Sequence, residues 1–132
     1  MSKPLALIIE DDPDLSQIFS VSLHGGGFET EIIEDGESAI ARLMGIPPAI
    51  IVLDLHLPGV DGATILKHIH ANDRFSKTSV IITTADAQMG DGLRGKADLV
   101  LLKPVSVNQL RELAKRMLIR WSDADQSDES AS

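Results

Sequence analysis

Short runs rich in Ile, Val and Leu recur along this chain, each too brief for a helix and each followed by a longer amphipathic stretch. The clearest are Leu5-Ala6-Leu7-Ile8-Ile9, Ala49-Ile50-Ile51-Val52-Leu53, Val80-Ile81-Ile82 and Leu99-Val100-Leu101-Leu102. A continuous apolar run suits a strand buried on both faces, and that burial arises when crossover helices cover a parallel sheet. The pattern predicts five βα units in one α/β domain, with strands near 5–10, 28–33, 49–54, 79–84 and 98–102. Helices are expected near 13–24, 36–44, 62–71, 86–92 and 107–120. Right-handed crossovers would wind these units into an open doubly wound sheet that binds ligands beyond the carboxyl ends of its strands.

Several helix starts carry their own signature. Asp12 precedes Pro13, as an N-cap precedes a first-turn proline, and Asp35-Gly36 and Asp61-Gly62 precede the next periodic segments. Ser106 with Gln109 fits a capping box. In the last helix Val107, Leu110, Leu113, Ala114, Met117 and Leu118 form an apolar face, with Arg111, Glu112, Lys115 and Arg116 mostly opposite. The acidic, serine-bearing tail at 121–132 offers little apolar surface and is expected to be disordered, which leaves one domain over 4–120.

The chain holds 12 basic and 20 acidic side chains, for a formal charge of -8. Asp123, Asp125, Asp128 and Glu129 add to the excess, yet the balance stays negative without them. Such a surface repels phosphate backbones, so direct nucleic-acid binding is not expected, whereas divalent cations suit it. The absence of cysteine excludes disulfides and thiolate metal sites. The apolar run after Met1-Ser2-Lys3-Pro4 is too short for a signal-peptide core or a membrane span, so a cytoplasmic location is the expectation.

Chemistry-bearing residues collect where the apolar runs end. Glu10-Asp11-Asp12 follows the first, Asp54 the third, Thr83-Thr84-Ala85 the fourth and Lys103-Pro104 the fifth. A lone aspartate in such a place is ordinarily a turn or capping residue; the company it keeps changes its meaning. Gathered acids repel one another by about 1–4 kcal/mol per close pair at surface-like dielectric, so the cluster makes sense around a hard cation such as Mg2+. A carboxylate beside such an ion can accept a phosphoryl group as a mixed anhydride, because that transfer needs positioning and charge neutralisation above all.

This arrangement resembles the receiver domain of response regulators over roughly residues 4–120, with 43 residues from Asp11 to Asp54 and 30 from Asp54 to Thr84. The resemblance implies a flavodoxin-like (βα)5 fold with five parallel strands ordered 2-1-3-4-5. It also implies a Mg2+-dependent phosphorylation switch, not a turnover enzyme, served by a histidine kinase or histidine phosphotransfer protein. By resemblance Asp54 is the phosphoacceptor, Lys103 and Thr84 engage the phosphoryl group, and Mg2+ is held by Glu10, Asp11, Asp54 and the backbone carbonyl of His56. Asp12 is assigned to capping. Thr83 is the alternative to Thr84, disfavoured by the spacing and by Ala85. A monomer or weak homodimer is expected.

Two departures lie together. Val100 stands three positions before Lys103, where receivers commonly carry an aromatic ring, and the interval from Thr84 to Lys103 is shorter than usual and contains Gly90, Gly92 and Gly95. The fourth helix should therefore be short or distorted. Val100 supports the alternative of a pseudo-receiver that binds partners constitutively, whereas the two departures together point to an altered output surface with phosphorylation retained. A haloacid-dehalogenase-type phosphatase would want an aspartate two residues after Asp54, where this chain has His56. His68 and His70 point in different directions on a helix and make a poor metal pair, and Gly25-Gly26-Gly27 reads as a turn. Trp121 is expected to fold back over the last helix.

Overall fold

The computed structural model describes the backbone of residues 3–131 and the side chains of residues 3–119. Five strands, β1 (Leu5–Ile9), β2 (Glu29–Ile33), β3 (Ile50–Asp54), β4 (Ser79–Thr84) and β5 (Leu99–Leu102), form one sheet in the order β2-β1-β3-β4-β5. Every pairing is parallel. Helices α1 (Pro13–Gly25), α2 (Gly36–Arg42), α3 (Gly62–His70) and α4 (Ala87–Gly92) supply the four crossovers, and α5 (Val107–Ala131) follows the last strand. The fold and strand order expected from the sequence are therefore present.

Two apolar clusters sandwich the sheet, as a parallel sheet requires. On one face Ala6, Ile8, Ile50, Val52 and Ile81 pack with Phe19 and Leu23 of α1 and Leu110, Ala114 and Met117 of α5. On the other, Leu7, Ile9, Ile51, Leu53, Val80 and Ile82 pack with Ala39 of α2 and Ile65, Leu66 and Ile69 of α3. Because β1 lies between β2 and β3, the chain runs outward to one edge through β2 and to the other through β4 and β5. The carboxyl ends of β1 and β3 flank the point of reversal, the place where such sheets bind ligands.

The caps explain the helix starts. Asp12 Oδ1 accepts from the backbone N–H of Asp14 and Leu15, Asp35 from Ser38 and Asp61 from Thr64. Ser106 Oγ accepts from Gln109 N, supplying its half of the capping box. Helix α4 has six residues, as short as its glycines suggested. Val107 departs from the apolar face expected of α5: it is 36% exposed and lies in a shallow groove with Ile18 and Val21 of α1. A 3-10 turn at Asp73–Phe75, capped by Asn72, was not expected. The expectation for Trp121 lies outside the described side chains, while the backbone of 121–131, where a disordered tail was expected, continues α5 as helix to Ala131.

At Gly62 a Cβ atom would sit 2.4 Å from the carbonyl oxygen of Asp54 and 2.6 Å from Leu55 Cα, so only glycine lets the start of α3 rest on the end of β3. That contact fixes the height at which Asp54 leaves the sheet. Gly92, in contrast, has nothing within 4 Å of its notional Cβ. Gly62→Ala should destabilise the fold by more than about 2 kcal/mol through backbone displacement, while Gly92→Ala should stabilise it by about 0.4–1 kcal/mol. Urea unfolding of the two variants against wild type checks both signs.

Candidate functional site

Alternation along each strand decides which way the strand-end side chains face. Ala6, Ile8 and then Glu10 fall on the α1/α5 face, as do Ile50, Val52 and then Asp54, and Leu99, Leu101 and then Lys103. The ladders continue past the strand ends, with Glu10 N bonded to Ile33 O and Lys103 N to Thr84 O, so these residues remain in register. Strands β1 and β3, which are neighbours, and β5, one strand further across the sheet beyond β4, thus deliver two acids and one amine to a single spot.

There the Lys103 ammonium donates to Glu10 Oε1 at 2.8 Å and to Asp54 Oδ2 at 3.2 Å. Both carboxylates are buried, with relative exposures of 1% and 3%. Asp54 Oδ1 accepts from the backbone N–H of His56 at 3.0 Å, so both oxygens of the aspartate have a partner. Glu10 Oε2 accepts from Asp12 N at 3.2 Å. Asp11 lies on the solvent side, and Glu10, Asp11 and Asp54 each place a carboxylate oxygen within 4.8 Å of the others.

One ammonium among three acids leaves a local negative excess. Partial burial, aided by a proton-sharing contact with Glu10 and by that residue's charge, raises the Asp11 pKa above 3.8 despite Lys103 and a backbone N–H acting the other way. For Lys103 burial acts to lower the pKa, but the bonds and charges of Glu10 and Asp54 outweigh it and the net shift is upward from 10.5. Three hard carboxylates converging at this range suit Mg2+, which binds through few protein oxygens and retains water.

Thr84 is fully buried at the end of β4, and its Oγ1 accepts from Asp86 N at 3.0 Å. Asp86 in turn caps α4 through Met89 N. Thr84 faces the sheet side opposite to Asp54 in strand alternation, with its Cγ2 against Gly90 and beside Val100. The His56 side chain is exposed beside the acids. His68 and His70 are both exposed and stand outside the acidic group. A cavity of about 360 Å³ lined by Phe75, Thr78, Lys96 and Asp98 opens at the opposite, amino-terminal end of the strands, away from this chemistry. What the sequence did not reveal is that Lys103 is held by Glu10 as well as Asp54, and that the Thr83 hydroxyl is buried without a partner.

Lys103→Met strands two buried carboxylates, and without divalent cations it should lower stability by about 3 kcal/mol in urea unfolding at neutral pH. The Asp11 shift has its own signature. Because the folded protein holds this proton more tightly than the unfolded chain, stability falls as pH rises from about 3.8 through the raised value. Asp11→Asn should remove that falling segment from a curve of stability against pH measured in chelator.

A family model for the response regulator receiver domain matches residues 6–115. The transcriptional regulatory protein TrcR of Mycobacterium tuberculosis is 32% identical over 127 residues, covering 95% of this chain and 49% of the relative. RpaA of Synechocystis sp., a DNA-binding dual master transcriptional regulator, is 36% identical over 124 residues, 91% of this chain and 51% of the relative. The chain thus spans about half the length of these curated relatives. Among solved structures, the signal receiver domain assigned to a Luxo repressor protein of Vibrio parahaemolyticus superposes with a TM-score of 0.85 at 29% identity, covering 95% of this chain and 97% of that one. With its sheet order, its strand-end acids and lysine, and a family match over most of its length, this chain belongs to the receiver domains of two-component response regulators.

Proposed function

We propose that this receiver accepts a phosphoryl group on Asp54 from the phosphohistidine of a histidine kinase or phosphotransfer protein, in a Mg2+-dependent step. The observation that carries the reading is the Lys103 ammonium bridging Glu10 and Asp54 while Asp11 completes a group of three convergent carboxylates. Glu10, Asp11, Asp54 and the backbone carbonyl of His56 are the groups that would hold the ion. When bound, Mg2+ supplies positive charge against the acids and the phosphoryl oxygens.

The residues divide the work as follows. An Asp54 carboxylate oxygen attacks phosphorus, the P–N bond of the donor breaks, and its electron pair returns to the imidazole nitrogen. Lys103 is already within bonding distance of Asp54, so a small displacement brings it to a phosphoryl oxygen. Thr84 faces away from Asp54 by strand alternation and its Oγ1 accepts from Asp86 N, so its hydroxyl would reach a phosphoryl oxygen only after the loop that follows β4 moves. The modification adds about -1.5 to -2 charges at Asp54, which biases Thr84 and the loop that caps α4. The phosphoryl group rests on the protein itself until water removes it, so the chain works as a switch and not as a turnover enzyme.

Among the described residues no helix is long and apolar enough to cross a membrane, which accords with a proposed cytoplasmic setting. The relatives named as DNA-binding match over about half their length, and the net charge of -8 argues against nucleic-acid contact by this segment itself. Its downstream partner is then a protein, met as a monomer or weak homodimer.

Intact-mass analysis after acetyl phosphate treatment tests the reading. Wild type should gain one phosphoryl group with Mg2+ and none in chelator, and Asp54→Ala should gain none in either; a wild type that stays unmodified, or an Asp54→Ala variant labelled as fully, overturns it.

A further inference from the structure

The hydroxyl of Thr83 is the one buried side-chain polar atom without a hydrogen-bond partner among the described residues. The side chain is 1% exposed, so solvent does not satisfy it. Valine has nearly the same shape and would fill the space with no stranded donor, so packing alone gives no reason for a hydroxyl here. Its position does. Thr83 is the register partner of Asp54 across the β3–β4 ladder, and of Leu101 across the β4–β5 ladder. Alternation with Ile81 puts it on the α1/α5 face, the side to which Glu10, Asp54 and Lys103 are delivered. Thr84, one residue later, faces the other way toward Gly90.

In the unmodified protein Asp54 has no need of this donor: Oδ1 is held by His56 N and Oδ2 by Lys103. Those partners cannot all remain once Asp54 carries a phosphoryl group, because Lys103 is drawn to the new anionic oxygens. The aspartyl oxygen that Lys103 releases belongs to the register partner of Thr83 on the adjacent strand, with both side chains on the same face of the sheet.

Building on the reading of Asp54 as phosphoacceptor, we propose that Thr83 is a positioning residue, whose hydroxyl donates to the Asp54 carboxyl oxygen vacated by Lys103 and so stabilises the phosphoryl-bearing state. It acts through Asp54 and not on phosphorus. The unmodified state bears an unsatisfied donor that the modified state satisfies, so the two states are biased in opposite directions by a single group.

This opposition gives the test. Wild type, Thr83→Val and Thr83→Ser, each over residues 1–132, are compared by thermal unfolding without ligands and by 19F NMR titration of beryllofluoride, a phosphoryl mimic, in Mg2+. Thr83→Val should unfold at the wild-type temperature or about 2–5 °C above it, and yet bind beryllofluoride about tenfold more weakly, on the order of one lost hydrogen bond. Thr83→Ser keeps the donor and should bind within about threefold of wild type even where its lost methyl lowers the unfolding temperature. Wild-type affinity in Thr83→Val overturns the proposal, as does an equal loss in both variants, which would trace the effect to packing. Failure of wild type to bind at all overturns the Asp54 reading and this inference with it, and is distinguished by the wild-type titration alone.

Discussion

Glu10 and Asp54 are both almost fully out of water, and the Lys103 ammonium that lies between them is what makes that burial tolerable. Two buried carboxylates without a cation would protonate or force the strand ends apart; with one ammonium shared between them they remain close, and each keeps a backbone donor on its other oxygen. The compensation is incomplete, since Asp11 adds a third acid at the rim. A site with three carboxylates and one ammonium keeps an excess of negative charge, which suits it to taking up a dication and then exchanging one arrangement of charge for another.

The fold supplies the geometry that this balance needs. Parallel strands β1, β3 and β5 end at the same edge, and their alternation places Glu10, Asp54 and Lys103 on a single face although they are far apart in the chain. Helix α3 begins in direct contact with the end of β3 because Gly62 has no side chain, and α1 begins at a cap made by Asp12, next to the acids. The apolar clusters on both faces hold the strands in register, so the placement of the charged groups follows from the packing beneath them.

Much of this was legible in the sequence because the physics involved is local or periodic. Apolar runs such as Ile50–Leu53 mark doubly covered strands, aspartates before Pro13, Gly36 and Gly62 mark helix starts, and the residues at the run ends mark the site. The less legible features depend on contacts made across the molecule. Val107 continues the helical apolar period yet stands at a groove with Ile18 and Val21 of α1 and stays partly exposed. Nothing in the spacing says that Lys103 reaches Glu10, or that Thr83 faces the acids while Thr84 does not; both follow from strand register. The 3-10 turn at Asp73–Phe75 is three residues long, too short to leave a period.

The most direct measurement of the central claim is a crystal structure grown in Mn2+, a stand-in for Mg2+ that is visible by anomalous scattering. The account predicts one strong anomalous peak at about 2.0–2.3 Å from carboxylate oxygens of Asp11 and Asp54, with Glu10 beside it and the Lys103 ammonium still within reach of Asp54. A peak lodged elsewhere on the surface, or a well-ordered acidic cluster that takes up no ion at millimolar Mn2+, would contradict it.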